Sequence, residues 1–241
     1  MQFTTEDPGD KLPERPYVLL SVAASVDGYI DDATDNRLLL SNDEDFDRVD
    51  SERAQVDAIL VGANTIREDN PRLLVRSEER RAARTARGLP ESPIKVTLTG
   101  CGDLDPDAKF FTTGDNQKIV YSASSGVDKS RERLGDIATV VDAGDPLDLG
   151  TVLADLASRG VQKLMVEGGG TIHTQFLAAG VVDEIQLVIA PFFVGNPAAP
   201  RFVGNGDFPH GPSNRMQLAE TRQIGDVILA RYLLKAKNEK T

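Results

Sequence analysis

At 241 residues the chain can bury one substantial core and sits near the upper end of a single domain. Lys plus Arg numbers 27 against 38 Asp plus Glu, a formal charge of −11, so the surface repels nucleic acid and acidic membranes and neither is expected as a partner. No apolar run approaches the roughly 20 residues of a membrane span, and the lone Cys101 excludes an intrachain disulfide and a thiolate metal cluster, which fits a cytoplasmic protein without a metal.

Residues 1–15 are polar, carry Pro8 and Pro13, and lack the basic start and apolar stretch of a secretory signal; they read as a flexible arm ahead of one domain over 16–241. Short β-branched runs then alternate with helical stretches, the rhythm of βα units feeding a mainly parallel sheet, so the fold class is α/β. Strands are expected at Tyr17–Ala24, Ala58–Val61, Ile94–Leu98, Lys118–Tyr121, Thr139–Asp142, Lys163–Val166 and Glu184–Ile189. Helices are expected at Asp43–Gln55, capped by Ser41 or Asn42, at Asp148–Arg159 and at Thr171–Ala179. Ser77–Ser92, rich in arginine, reads as a solvated surface excursion, and Asn196–Pro212, rich in Pro and Gly, as a long ordered loop. Met216–Thr221 and Val227–Leu234, around Gly225-Asp226, read as an antiparallel hairpin that finishes the sheet.

Two segments carry candidate chemistry. Gly168-Gly169-Gly170-Thr171 follows a strand and opens a helix, so backbone N–H groups free of Cβ atoms can cradle a pyrophosphate; a tight strand-to-helix turn explains the same glycines. Glu167 ends that strand, where open α/β sheets place ligand contacts, or else it caps the next helix. The second segment runs from Asp57 through Gly62 and Thr65 to Asp69-Asn70-Pro71. Its polar groups at a strand's carboxyl edge suit a ligand cleft, while Asp69 before Asn-Pro is equally good turn chemistry. Arg76, just beyond, is either a phosphate ligand or the first charge of the arginine-rich stretch.

Ser25-Val26-Asp27-Gly28, Arg53 to Gly62 with Thr65, Asp69, Pro71 and Arg76, then Val166-Glu167-Gly168-Gly169 and Ile189-Ala190-Pro191, in this order, resemble the reductase domain of riboflavin biosynthesis from about Tyr17 to Leu234. That resemblance implies a dihydrofolate-reductase-like sheet, a homodimer, and NADPH-dependent reduction of a ribosylamino-pyrimidine 5′-phosphate to its ribitylamino product. It assigns Gly62, Thr65 and Gly168, Gly169, Gly170 and Thr171 to the cofactor. Asp69 and Glu167 become the catalytic carboxylates on the sugar, Arg76 the phosphate ligand, and Asp27 and Asn42 further substrate contacts. The bifunctional bacterial enzymes of this family carry a lysine where this chain has Ser21, so the chain leans toward the stand-alone archaeal and fungal pattern. With one Cys and two His it also lacks the zinc ligands of their deaminase domain.

The remaining singletons are plainer. His173 either faces the cofactor or is held within its helix, His210 has no partner pattern, and Cys101 reads as an inert thiol. Thr97, Thr99 and Ser122 are the candidate neighbours of a cofactor 2′-phosphate. A reductase of the same fold acting on another substrate, such as a pterin, and a non-catalytic NADPH-binding protein stay open as alternatives.

Overall fold

The structure, a computed structural model, describes residues 14–32, 34 and 38–234; the expected arm, apart from its last two residues, lies outside them. Among the described residues nine strands form one sheet: β1 (Tyr17–Ser25), β2 (Ala58–Gly62), β3 (Ile94–Thr99), β4 (Lys118–Ser122), β5 (Thr139–Asp142), β6 (Lys163–Gly168), β7 (Glu184–Ala190), β8 (Gln217–Ile224) and β9 (Val227–Leu233). Their spatial order is β5-β4-β3-β2-β6-β1-β7-β9-β8. The first seven run parallel, while β9 pairs antiparallel with both β7 and β8, as the hairpin at the chain's end requires.

Alternation along the strands divides the core between the two faces. Leu20, Leu60, Val166 and Tyr121 pack with Leu153 and Leu156 of α6 (Leu149–Ser158) and Phe176 of α7 (Gly170–Ala178). The intervening residues Leu19, Ile59, Met165 and Val120 face the other way. They meet Ile66 of α2 (Ala63–Asp69), Phe110 of α4 (Lys109–Thr112) and Leu134 of α5 (Val127–Leu134), with Val49 of α1 (Asp43–Arg53) alongside. After β1 the chain moves toward the β5 edge, then β6 returns between β2 and β1 and β7 continues on the far side. Such a reversal opens a crevice at the carboxyl ends of the strands.

The arginine-rich stretch departs from expectation. It is not a solvated excursion but contains a helix, α3 (Glu78–Ala86), with Ser77 accepting from the Arg80 N–H as cap and Glu78 and Glu79 in the first turn. Arg84, 2 % exposed, fastens it from inside: Nη1 donates to the carbonyls of Ala54 (3.0 Å) and Val56 (2.9 Å), and Nε to that of Pro90 (2.8 Å). These carbonyls follow α1 or lie in turns and have no helical donor, so a buried guanidinium satisfies them.

Candidate functional site

A cleft of about 2080 Å³ runs along the carboxyl ends of β1, β2, β3 and β6 and the first turn of α7. A pocket for one small ligand occupies about 300–1,000 Å³, so this cleft exceeds the size of one such pocket. Gly62, Thr65, Asp69, Arg76 and all of Glu167, Gly168, Gly169, Gly170 and Thr171 line it.

The glycine turn is shaped by its neighbours as much as by any ligand. Gly169 has φ of +85° and is the N-cap of α7, with no side chain capping the helix. A Cβ at Gly168 would stand 3.2 Å from the Thr65 side chain, and one at Gly62 2.7 Å from Ile172 of α7. At Gly170 it would fall 2.2 Å from the backbone oxygen of Arg201, so the 200–204 strap can cross the first turn of α7 only over a glycine. The first N–H groups of α7 therefore end at the cleft without a side-chain acceptor, which suits an anion.

Glu167 owes its aim to a bulge. Leu60 pairs with Val166 but Val61 with Gly168, so Glu167 is left over in the β2–β6 ladder. Arg53, in the last turn of α1, grips its carboxylate with two parallel bonds, Nε to Oε1 at 2.7 Å and Nη2 to Oε2 at 2.6 Å. Burial works to lower the Arg53 pKa, and the Glu167 charge reverses that, so the guanidinium stays ionised. Glu167 does not cap α7; it is held from across the cleft.

Asp69 is the exposed last residue of α2, and Asn70 beyond it adopts the left-handed conformation at φ 44°. Leu73 does so too, at φ 49°, a cost of about 1–2 kcal/mol for such a side chain. The kinked segment sends Leu73 and Val75 into the core and leaves Asp69 and Arg76 at the cleft. The Arg76 side chain, 59 % exposed, donates to the Phe46 carbonyl at 3.0 Å and lies over the Phe46 ring. Its backbone N–H and that of Ser77 donate to Asp50. Burial alone would raise the Asp50 pKa, but these bonds and the Arg80 guanidinium hold it below the usual carboxylate range.

Asp27 and Asn42 sit outside the lining of this cleft. Asp27 accepts from Ser25 Oγ (2.6 Å) and the N–H groups of Val194 (3.1 Å) and Gly195 (2.8 Å). The Ser25 hydroxyl, more than any other group, lowers its pKa. Asn42 accepts from the Asp45 N–H as cap of α1, and its Nδ2 donates to Ile224 O and Asp226 Oδ1 at the tip of the β8–β9 hairpin. Both side chains act in this structure as struts.

The RibD C-terminal domain model matches residues 16–230. The chain belongs to that family. It is 35 % identical to the 2,5-diamino-6-ribosylamino-4(3H)-pyrimidinone 5′-phosphate reductase of Archaeoglobus fulgidus, over 90 % of this chain and 99 % of the relative. The protein of that name from Methanothermobacter thermautotrophicus is 33 % identical, over 92 % and 99 %. Among solved structures, RibD of Acinetobacter baumannii superposes with a TM-score of 0.76 at 25 % identity, over 92 % of this chain and 59 % of that one, so this chain spans about three-fifths of that protein's length. The riboflavin biosynthesis reductase Rib7 of Saccharomyces cerevisiae, at 18 % identity and a TM-score of 0.66 over 96 % and 93 %, shows the shared fold.

As a RibD-type reductase domain, the chain brings to the cleft two arginines to which the sequence assigned no role of their own, beside residues that it did single out. Arg53 stands in the sequence only as one member of a motif and is the partner of Glu167 in the fold. Arg201 enters from the Pro- and Gly-rich loop and lines the cleft, as does Ser21, 7 % exposed, at the lysine position of the bifunctional enzymes. Thr99 lines the cleft, whereas Thr97 and Ser122 are wholly buried away from it. His173 lines the cleft from the α7 side at 1 % exposure, its Nδ1 3.3 Å from the Phe202 oxygen. Cys101 is exposed at the β3 end of the cleft, and His210 faces the Asn214 oxygen. Among the described residues, no helix is long and apolar enough to cross a membrane.

Proposed function

We propose that this chain reduces 2,5-diamino-6-ribosylamino-4(3H)-pyrimidinone 5′-phosphate with NADPH to the ribitylamino product, acting in the cytoplasm as a homodimer whose residues 16–241 form one reductase domain. The observation that carries the reading is the convergence in one cleft of the glycine turn, Asp69, Glu167 and Arg76. The diamino substrate is the one in the names of the archaeal relatives.

The uncapped first turn of α7, crowded only by Thr65 and the strap, fits a dinucleotide diphosphate. Gly62, Thr65 and Gly168 to Thr171 would hold it there, and NADPH so bound supplies a hydride. Arg76 fixes the 5′-phosphate beside α1. The ribosylamine opens as C1′–O4′ breaks, a proton passing from nitrogen to O4′ and leaving an imine. Reduction of the imine would then place the cofactor's hydride on C1′ and a proton from solvent on nitrogen. Glu167, immobilised by Arg53, and Asp69 at the end of α2 would orient the ribose hydroxyls and assist proton movement during ring opening.

The test is NADPH oxidation by the purified chain with the diamino pyrimidine phosphate, its deaminated counterpart and dihydrofolate in turn. Consumption with the diamino compound is expected. Turnover of dihydrofolate alone would replace the reading with a pterin reductase, and binding of NADPH without consumption in any arm would replace it with a non-catalytic protein. The dimer draws support from the outer hairpin, where Leu218 is 54 % and Ile228 51 % exposed. Light scattering at the monomer mass of 26.0 kDa at micromolar concentration would remove it.

A further inference from the structure

Arg201 sits at the centre of a strap tied down on both sides. Pro200 accepts from the Ile30 N–H at 2.9 Å, and the Phe202 N–H donates to Gly28 at 3.0 Å. On the other side the Gly204 N–H donates to Thr174 Oγ1 at 2.8 Å, while Thr174 Oγ1 donates to Gly170 O at 2.6 Å. Gly170 itself is the only size of residue that lets the Arg201 carbonyl lie where it does. The backbone of residue 201 is therefore fixed between the Gly28–Ile30 segment and the first two turns of α7.

The side chain is fixed as well. Its guanidinium stacks 4.3 Å from the centroid of the buried Tyr29 ring, Nη2 donates to Tyr29 Oη at 2.8 Å, and Nη1 donates to the Asp27 carbonyl at 3.3 Å. These bonds use two of five N–H donors. Among the described residues the remaining three have no protein acceptor, and no carboxylate pairs with Arg201. Asp27, nearest in sequence to its contacts, spends its carboxylate on Ser25, Val194 and Gly195 instead. In a chain of net charge −11, a cleft-lining residue whose oriented guanidinium has no counter-charge among the described residues is suited to an anion from outside the protein.

A second observation marks the same wall. His173, one turn into α7 and beneath the strap, is 1 % exposed, lines the cleft, and has no partner for Nε2 among the described residues. A buried ring nitrogen without a protein partner calls for an explanation, and a ligand bound against this wall supplies one.

We propose that Arg201 is a ligand-binding residue of this cleft, using its free guanidinium donors to hold a phosphate group of a bound ligand beside the first turn of α7. The wall favours the diphosphate of the dinucleotide, since the uncapped N–H groups of α7 and the guanidinium then serve one anion. The sugar phosphate is the other source of that chemistry. This assignment deepens the proposed reductase reading and rests on it.

The experiment compares wild type with Arg201→Gln, measuring dissociation constants for NADPH, for ribose 5-phosphate, and for reduced nicotinamide riboside, which has no phosphate. We expect NADPH binding to weaken at least tenfold, with the nicotinamide riboside and the melting temperature of the free protein unchanged. Weakening of ribose 5-phosphate instead keeps Arg201 as a phosphate ligand and moves it to the substrate. Unchanged affinity for both phosphates, or equal weakening with and without phosphate, overturns the assignment. If the glutamine variant loses its fold, Arg201→Met keeps an apolar stem over the Tyr29 ring without the donors, and undiminished NADPH affinity in it overturns the assignment equally. Failure of the wild type itself to bind NADPH would count against the reductase reading, a different result from an indifferent Arg201.

Discussion

Arg53 and Glu167 form a two-bond fork across the cleft, tying the end of α1 to the bulge of β6, with side chains only 17 % and 12 % exposed. Removing one partner from such a pair strands the other charge, which costs about 3–5 kcal/mol, whereas replacing both with apolar groups costs far less. Arg53→Met should therefore lower unfolding free energy by about 3 kcal/mol in urea, and Arg53→Met with Glu167→Leu should recover most of it while leaving activity abolished. A double variant as unstable as the single one would show that the fork matters to the fold for some reason other than the stranded charge.

The glycines separate by what a methyl group would strike. Gly170→Ala collides with the Arg201 backbone, and Gly168→Ala only touches the movable Thr65 side chain. Alanine gains up to about 1 kcal/mol of helix propensity at position 170, but a backbone clash costs about 1–3 kcal/mol. Gly170→Ala should lower the melting temperature by several degrees and weaken NADPH binding, and Gly168→Ala should do less of both. The reverse ranking by calorimetry and titration would contradict the close crossing of the strap over the first turn of α7.

The strands were legible almost to the residue because parallel strands buried on both faces are written as apolar, β-branched runs. Their ends were less so: β6 reaches Gly168 through a bulge that no local pattern announces. Helices α2 to α5 escaped because they are short: α2, α4 and α5 bury only two apolar residues each, and α3 is docked by a buried arginine rather than an apolar stripe. Arg84 fixes α3 by binding carbonyls, and α2 ends on an Asn-Pro pair that reads as a turn. The cleft's main residues were legible as ordered motifs, but not their partners. Arg53 lies 114 residues from Glu167, and Asn42 reaches a hairpin tip 182 residues away, so tertiary folding alone reveals one as clamp and the other as strut.

Burial pushes the His173 pKa from 6.5 down to about 4, opposed only in part by the Phe202 carbonyl. Between these values the unfolded chain binds a proton that the folded one refuses. Stability is thus fully present above pH 6.5 and drains away as pH falls toward 4, by up to about 3 kcal/mol from this residue. The native carboxylates held below their usual range, Asp50 and Glu184 among them, add their own loss at lower pH. Denaturant unfolding across this window should show the slope, and His173→Gln should flatten its upper part. An equal slope in the variant would assign it to other groups.

Arg76 poses the sharpest choice between a ligand and a surface charge, because its guanidinium is mostly exposed and rests on the Phe46 ring and carbonyl. A charge-assisted bond to a substrate phosphate is worth about 1.5–3 kcal/mol, so Arg76→Ala should raise KM roughly tenfold to a hundredfold or more. An exposed charge with no ligand would cost almost nothing. Arg81 is a poor control, since it also lines the cleft and donates to the Val75 and Arg76 carbonyls. Arg131, 55 % exposed on α5 and outside the lining, serves better. Arg76→Ala should impair the phosphorylated substrate and leave the dephosphorylated one at its wild-type rate, because the wild type gains nothing from the arginine when the phosphate is missing. Arg131→Ala should change neither. If Arg76→Ala harms both substrates alike, the arginine is bracing the kinked Asn70–Val75 segment against α1 rather than holding phosphate, and the phosphate site must be sought elsewhere in the cleft.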